Sequence, residues 1–229
     1  MIISTDPGPL ADGTAGDGLP PLAEPPAEAE TDAASPARKR LKPGERRLQI
    51  LQTLAGMLER PDAERITTAA LAARLDLSEA ALYRHFASKA QMFEGLIDFI
   101  EHSVFTLTQQ VSEREPDALL RARKIVAVLL HFGERNPGMT RVMVGDALVF
   151  ENERLVQRMN QFFDRIESQL RTGLRAGADG ASAMPTVDAQ VRASALTAFA
   201  LGRLQRYARS GFRRLPTEHL DAALQLIAS

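Results

Sequence analysis

Arg65-Ile-Thr-Thr-Ala-Ala-Leu-Ala-Ala-Arg-Leu-Asp-Leu-Ser-Glu-Ala-Ala-Leu-Tyr-Arg-His-Phe-Ala-Ser-Lys89 uses one local device twice. Thr67 stands where a side-chain oxygen can cap a short helix, and Ile66 before it can pack onto Leu71. After the tight Asp76-Leu77 turn the pattern recurs: Ser78 caps, and Leu77 packs onto Leu82. A third cap, Ser88, with Gln91 in the capping-box position, opens a long helix to about Val111. Two short helices joined by a tight turn, with a third packed behind, describe a helix-turn-helix.

The second short helix, about 79–86, sorts by face. Ala81, Leu82, His85 and Phe86 lie on one side and are expected to pack inward. Glu79, Ala80, Tyr83 and Arg84 lie on the other and are expected to enter a DNA major groove. Small Ala80 permits close approach to a thymine methyl, Arg84 suits guanine or a phosphate, and the Tyr83 hydroxyl can donate to a phosphate. Thr67, Thr68 and Ser78 stand at helix N-termini whose unpaired N–H groups suit the sugar-phosphate backbone, and Lys89 adds a cation in the next first turn.

Outward from this unit, charge is unevenly distributed. Residues 1–37 hold seven acids and no Lys or Arg, whereas residues 38–90 hold eleven bases against six acids. The first stretch, dense in Pro, Gly and Ala, is expected to be a disordered acidic tail, with electrostatic shielding of the basic region as an alternative to an inert extension. Arg38, Lys39, Arg40 and Lys42 then form a basic arm suited to a DNA backbone or minor groove, which predicts strongly salt-dependent binding.

The rest reads as helix. A first helix spans about 45–60 with an apolar stripe of Ile50, Leu51, Leu54, Met57 and Leu58, stopped by Pro61-Asp62. Further helices are expected near 117–135, 138–148, 151–176, 187–210 and 218–228, with a loop from Gly177 to Pro185. No segment alternates with period two, so the fold class is all-α. Leu155, Met159, Phe162, Phe163, Ile166, Leu170 and Leu174 stripe one long helix, and Ala195, Ala198, Phe199, Gly202 and Leu204 mark another. Two such helices per subunit can build a four-helix dimer interface, or serve as internal core. A helix-turn-helix reader needs two copies to cover both half-sites, so a homodimer is expected.

Several function classes are excluded or left without support. The chain has no cysteine, hence no disulfide and no thiolate chemistry. His85, His102, His131 and His219 lack metal-ligand spacing, and no phosphate loop, dinucleotide fingerprint or nucleophile elbow occurs. We therefore expect no enzyme, no cofactor and no metal, and identify no small-molecule ligand. No apolar run reaches the ~20 residues of a membrane span, which leads us to expect a cytoplasmic protein without a membrane partner.

Residues 65–89, above all Leu82-Tyr83-Arg84-His85-Phe86 with Ser88-Lys89, resemble the signature of the tetracycline-repressor family. Beyond them, Met92-Phe93, Leu96-Ile-Asp-Phe-Ile-Glu101, Phe132-Gly-Glu-Arg-Asn-Pro-Gly138 with Thr140-Arg141, and Phe162-Phe-Asp-Arg-Ile-Glu-Ser-Gln-Leu-Arg171 are similar to the nucleoid occlusion branch of that family, over about residues 45–229. The resemblance implies a tetracycline-repressor-like fold and a nucleoid-associated dimer on palindromic chromosomal sites. It also implies a DNA-bound form that antagonises the tubulin-like division protein FtsZ. The positions matching the family's FtsZ-facing surface are Phe99, Val128, His131 and Arg135. A ligand-responsive transcriptional repressor is the alternative within the same family.

The implied organisation is a tail and arm over 1–43, a DNA-binding unit over 44–90, and a dimerisation and partner-binding body over 91–229. Three positions depart from the family pattern. Asp76 occupies a turn where glycine is usual, Leu107 stands where relatives carry Arg near the partner surface, and the acidic tail has no counterpart. Asp tolerates a left-handed backbone better than most residues, so the turn is expected to survive.

Overall fold

Pro43 opens α1 (Pro43–Leu58) at a position where its fixed φ and missing N–H do no harm. Ile50, Leu54, Ala55 and Leu58 form the buried row of this helix. The computed structural model describes residues 43–60, 66–176 and 185–227. The acidic stretch 1–37, the arm residues Arg38, Lys39, Arg40 and Lys42, the Pro61-Asp62 stop and the 177–184 part of the expected loop lie outside the described residues.

The three expected caps are formed. Thr67 Oγ1 accepts from the Ala70 N–H at 3.1 Å ahead of α2 (Thr68–Arg74). Ser78 Oγ accepts from the Ala81 N–H at 3.2 Å ahead of α3 (Glu79–Tyr83). Ser88 Oγ accepts from the Gln91 N–H at 3.2 Å and starts α4 (Lys89–Arg114), a helix of 26 residues. Gln91 reaches back, but its Oε1 accepts from the Ala87 N–H at 2.8 Å, one residue outside the cap. Between α2 and α3, Asp76 sits at φ 53°, the left-handed conformation the turn requires. Asp76→Val, whose branched Cβ tolerates that conformation poorly, is expected to lower stability by about 1–2 kcal/mol. A thermal melt would read this as a drop in Tm of a few degrees.

The body contains α5 (Ala118–Arg135), α6 (Pro137–Met143), a 3₁₀ turn (Asp146–Leu148), α7 (Glu153–Ala176), α8 (Pro185–Arg209) and α9 (Leu220–Ile227). No strand occurs among the described residues. The single helix expected over 138–148 is instead broken, because Gly145 adopts φ 80° and ends α6 before the 3₁₀ turn. The most extensive pairing is α7 on α8, with α5 packed against α4, α7 and α8.

The apolar stripe of α7, from Leu155 to Leu174, is buried within one protomer. That corrects the possibility that α7 supplies an apolar dimer face, since its outward row is polar. α8 carries two apolar rows. Ala189, Ala193, Leu196, Ala200, Leu204 and Tyr207 face inward, whereas Val187, Val191, Ala195 and Ala198 are exposed.

Two close approaches join the elements. A Cβ on Gly138 would lie 2.2 Å from the Ala55 carbonyl oxygen and 3.2 Å from Leu58 Cβ, so α6 meets α1 backbone to backbone. Arg158 of α7 donates to Asp98 at 2.6 Å and to Glu101 at 2.7 Å, tying α7 to α4. The hydrogen bond to Glu101, with Asp98 adding to it, raises the Arg158 pKa against the opposing effect of burial.

Candidate nucleic-acid interface

Leu82 and Phe86 anchor α3, both almost wholly buried, while Ala81 and His85 are half-buried beside them. This fixes the opposite side outward. Glu79, Ala80, Tyr83 and Arg84 are all exposed, Tyr83 at 45%. The helix is shorter than the expected 79–86 and ends at Tyr83, with Arg84 as its C-cap. Just beyond its end, Arg47 of α1 donates to the His85 carbonyl and places its guanidinium carbon 4.0 Å from the centre of the Phe86 ring. A cation there satisfies a carbonyl at the negative end of the helix. Arg47 and His85 are 38 residues apart, so spacing along the chain carried no sign of this contact.

The other DNA-contact candidates divide into exposed and engaged. Thr67 and Ser78 are exposed at their helix N-termini. Thr68 Oγ1 donates to Glu79 Oε2 at 2.5 Å, linking the first turns of α2 and α3. Two candidates thus hold each other across the helix-turn-helix. Lys89 is ion-paired with Glu151, which precedes α7, and its Nζ also lies 5.6 Å from the centre of the Phe93 ring. Glu151 went unnoticed in the sequence because it lies 62 residues from Lys89.

The four partner-surface candidates come from two adjacent helices. Phe99 of α4 is half-buried, with its ring centre 6.3 Å from that of Phe132. Val128 of α5 is half-buried, and His131 and Arg135, further along the same helix, are exposed. Spacings of three, four and seven residues bring the α5 positions onto one side. Leu107 is exposed at 40%, an apolar group facing solvent. No cluster of His, Cys, Asp and Glu able to hold a metal occurs among the described residues, and no helix among them is long and apolar enough to cross a membrane.

Comparison with known proteins matches both halves of this architecture. Residues 50–96 match the family model for bacterial regulatory proteins of the tetR family, and residues 116–229 match the SlmA-like model of the tetracyclin repressor-like C-terminal domain. The nucleoid occlusion factor SlmA of Idiomarina loihiensis is 50% identical over 182 residues, covering 80% of this chain and 93% of that protein. The nucleoid occlusion factor SlmA of Escherichia fergusonii is 50% identical over 194 residues, covering 84% and 98%.

Solved structures agree on the fold. A TetR-like transcriptional regulator from Rhodococcus sp. RHA1 superposes with a TM-score of 0.64 at 18% identity, over 83% of this chain and 95% of that one. The regulator FadR from Bacillus subtilis, solved with stearoyl-CoA, gives 0.59 at 12% identity, over 80% and 97%. Half of the residues are thus shared with the SlmA proteins along nearly their whole length, on an all-helical tetracycline-repressor fold, and the chain belongs to the SlmA branch of the tetracycline-repressor family.

Proposed function

We propose that this protein is a DNA-binding nucleoid occlusion factor: a homodimer that reads palindromic chromosomal sites and, when bound there, antagonises FtsZ assembly so that septa do not close over the nucleoid. What carries the reading is the extent of the likeness. It covers 93–98% of proteins named for nucleoid occlusion, and so includes both the α3 face and the α4–α5 surface.

In this reading residues 44–90 bind DNA and 91–229 form the dimerisation and partner-binding body. Glu79, Ala80, Tyr83 and Arg84 meet base edges and nearby phosphates, while Thr67, Thr68, Ser78 and Lys89 hold the backbone. The arm Arg38, Lys39, Arg40 and Lys42 follows the phosphates. The exposed α8 row of Val187, Val191, Ala195 and Ala198 supplies the dimer contact, since burying apolar surface drives association and small residues let helices approach. Phe99, Val128, His131 and Arg135 form the FtsZ-facing surface.

The test is FtsZ assembly, followed by light scattering and pelleting, with a duplex bearing a mapped chromosomal site and with its scrambled version. Assembly should fall more with the site-bearing duplex. Phe99→Ala combined with Arg135→Ala should abolish that inhibition while leaving DNA affinity within about twofold, because neither residue belongs to the DNA-facing unit. No effect of the native protein on FtsZ, with or without DNA, would remove this function.

One observation favours a second reading, a ligand-responsive transcriptional repressor. A cavity of about 620 Å³ lies among α4, α5 and α7, lined by Phe105, Gln109, Arg121, Arg165 and Gln169 among others. The buried Gln169 Oε1 has no hydrogen-bond partner among the described residues. Chromosomal mapping separates the readings. Sites confined to promoters favour a repressor, whereas sites spread along the chromosome and sparse near the terminus favour nucleoid occlusion.

A further inference from the structure

Lys89 is the first residue of α4, one position after the Ser88 cap and on the DNA-binding unit. Its ammonium does not stand open to solvent, because Glu151, 62 residues further along the chain, holds it. The two side chains are 20% and 11% exposed, so the carboxylate is the more enclosed partner. Drawing Lys89 away would leave that carboxylate without its cation and short of water, an unfavourable state for a charged group.

The segment around Glu151 is well placed to respond. It joins α6 to α7 and begins at Gly145, whose left-handed backbone breaks the helix. Near Gly145 it is pinned by Arg141 Nε donating to Asp146 at 2.7 Å. Near α7 the Glu151 N–H bonds only to the Leu148 carbonyl at 2.9 Å, within a 3₁₀-type turn. Asn152 Oδ1 accepts from the Arg154 N–H at 3.0 Å and marks the entry to α7. Val149 and Phe150, which precede Glu151, are 67% and 65% exposed, so little packing restrains this part of the segment.

We propose that Glu151 restrains Lys89 in the DNA-free protein, that a DNA phosphate competes with this carboxylate for the ammonium, and that the exchange releases residues 149–152 from the DNA-binding unit. The inference rests on the reading of Lys89 as a phosphate contact and adds to it a restraint that lowers DNA affinity. It also gives the body a local signal of DNA occupancy. The same segment leads into α7, which Arg158 ties to the helix bearing Phe99.

The experiment uses the full-length protein and a duplex carrying a mapped chromosomal site. Glu151→Gln keeps the shape and removes the competing charge. It should tighten DNA binding on the order of tenfold per dimer, the combined effect of one modest ion pair in each subunit. If Glu151 instead positions Lys89 for the phosphate, Glu151→Gln weakens binding. Weaker or unchanged affinity in a normally folded variant overturns the proposal.

A second measurement does not depend on that substitution. The chain contains no Trp, so Phe150→Trp installs a single fluorescent reporter at an exposed site beside the ion pair. Specific DNA should change its emission in the otherwise native chain, and much less in the Phe150→Trp, Glu151→Gln double variant, whose restraint is already gone. Equal responses in the two, or none in either at saturating DNA, also overturn it. Failure of the native protein to bind any mapped site would remove the DNA-binding reading itself. Native binding without these differences removes only the restraint.

Discussion

Replacing Arg84 with alanine is expected to weaken binding to the chromosomal site on the order of a hundredfold, at constant salt. Arg84 is exposed at the C-terminal end of α3, where buried Leu82 and Phe86 fix the orientation of the turn beneath it. A well-aligned Arg–guanine contact contributes about 1–3 kcal/mol, and a dimer on a palindrome makes it twice. Fluorescence anisotropy with labelled duplexes measures the loss. If Arg84 reads a base, the variant loses discrimination at one symmetric position of the site. If it meets a phosphate, the loss is uniform across sequences and the salt dependence becomes shallower by about two charges per dimer. Unchanged affinity would mean that another side chain carries the reading.

The second large effect concerns the joint between the DNA-binding unit and the body. Gly138→Ala is expected to destabilise the protein by about 3 kcal/mol or more, with a fall in Tm of roughly 6–12 °C. Its Cβ would sit 2.2 Å from the Ala55 carbonyl oxygen, far inside contact distance, and this obstacle is backbone within a helix. A flexible side chain could turn aside; α1 and α6 have to separate. Gly56→Ala is the matched control, one residue along α1, with nothing within 4 Å of the added carbon. That substitution lies in a helix interior and should stabilise by about 0.5–1 kcal/mol. Differential scanning calorimetry on the pair distinguishes steric intrusion from a general effect of replacing glycine, and equal melting temperatures would refute the tight joint.

Local chemistry was the legible part of this protein. Caps at Thr67, Ser78 and Ser88 and the left-handed turn at Asp76 depend on neighbours within a few residues, and each has its expected form. The division of α3 into a buried and an exposed side followed from helical period alone. Contacts between distant segments were not legible. Arg47 bonds the turn after α3, and Glu151 holds Lys89, through pairings that no periodicity encodes. Gly145 was visible as a glycine, yet its role in splitting the 138–148 segment depends on a backbone conformation only the fold imposes. The role of α7 was underdetermined for the same reason. An apolar stripe states that a face is covered, without stating whether a second element or a second subunit covers it, and here α4, α5 and α8 do so.

Lys89 and Phe99 ride on one unbroken helix, ten residues apart, which sets them about 15 Å from each other along its axis. In the proposed reading α4 acts as a ruler. A partner captured at the α4–α5 surface would be held at a set height above the duplex, and a filament growing through that surface would have to run within a protein's breadth of the chromosome. Inhibition would then be a matter of place as much as of affinity, confined to the layer that the DNA itself occupies.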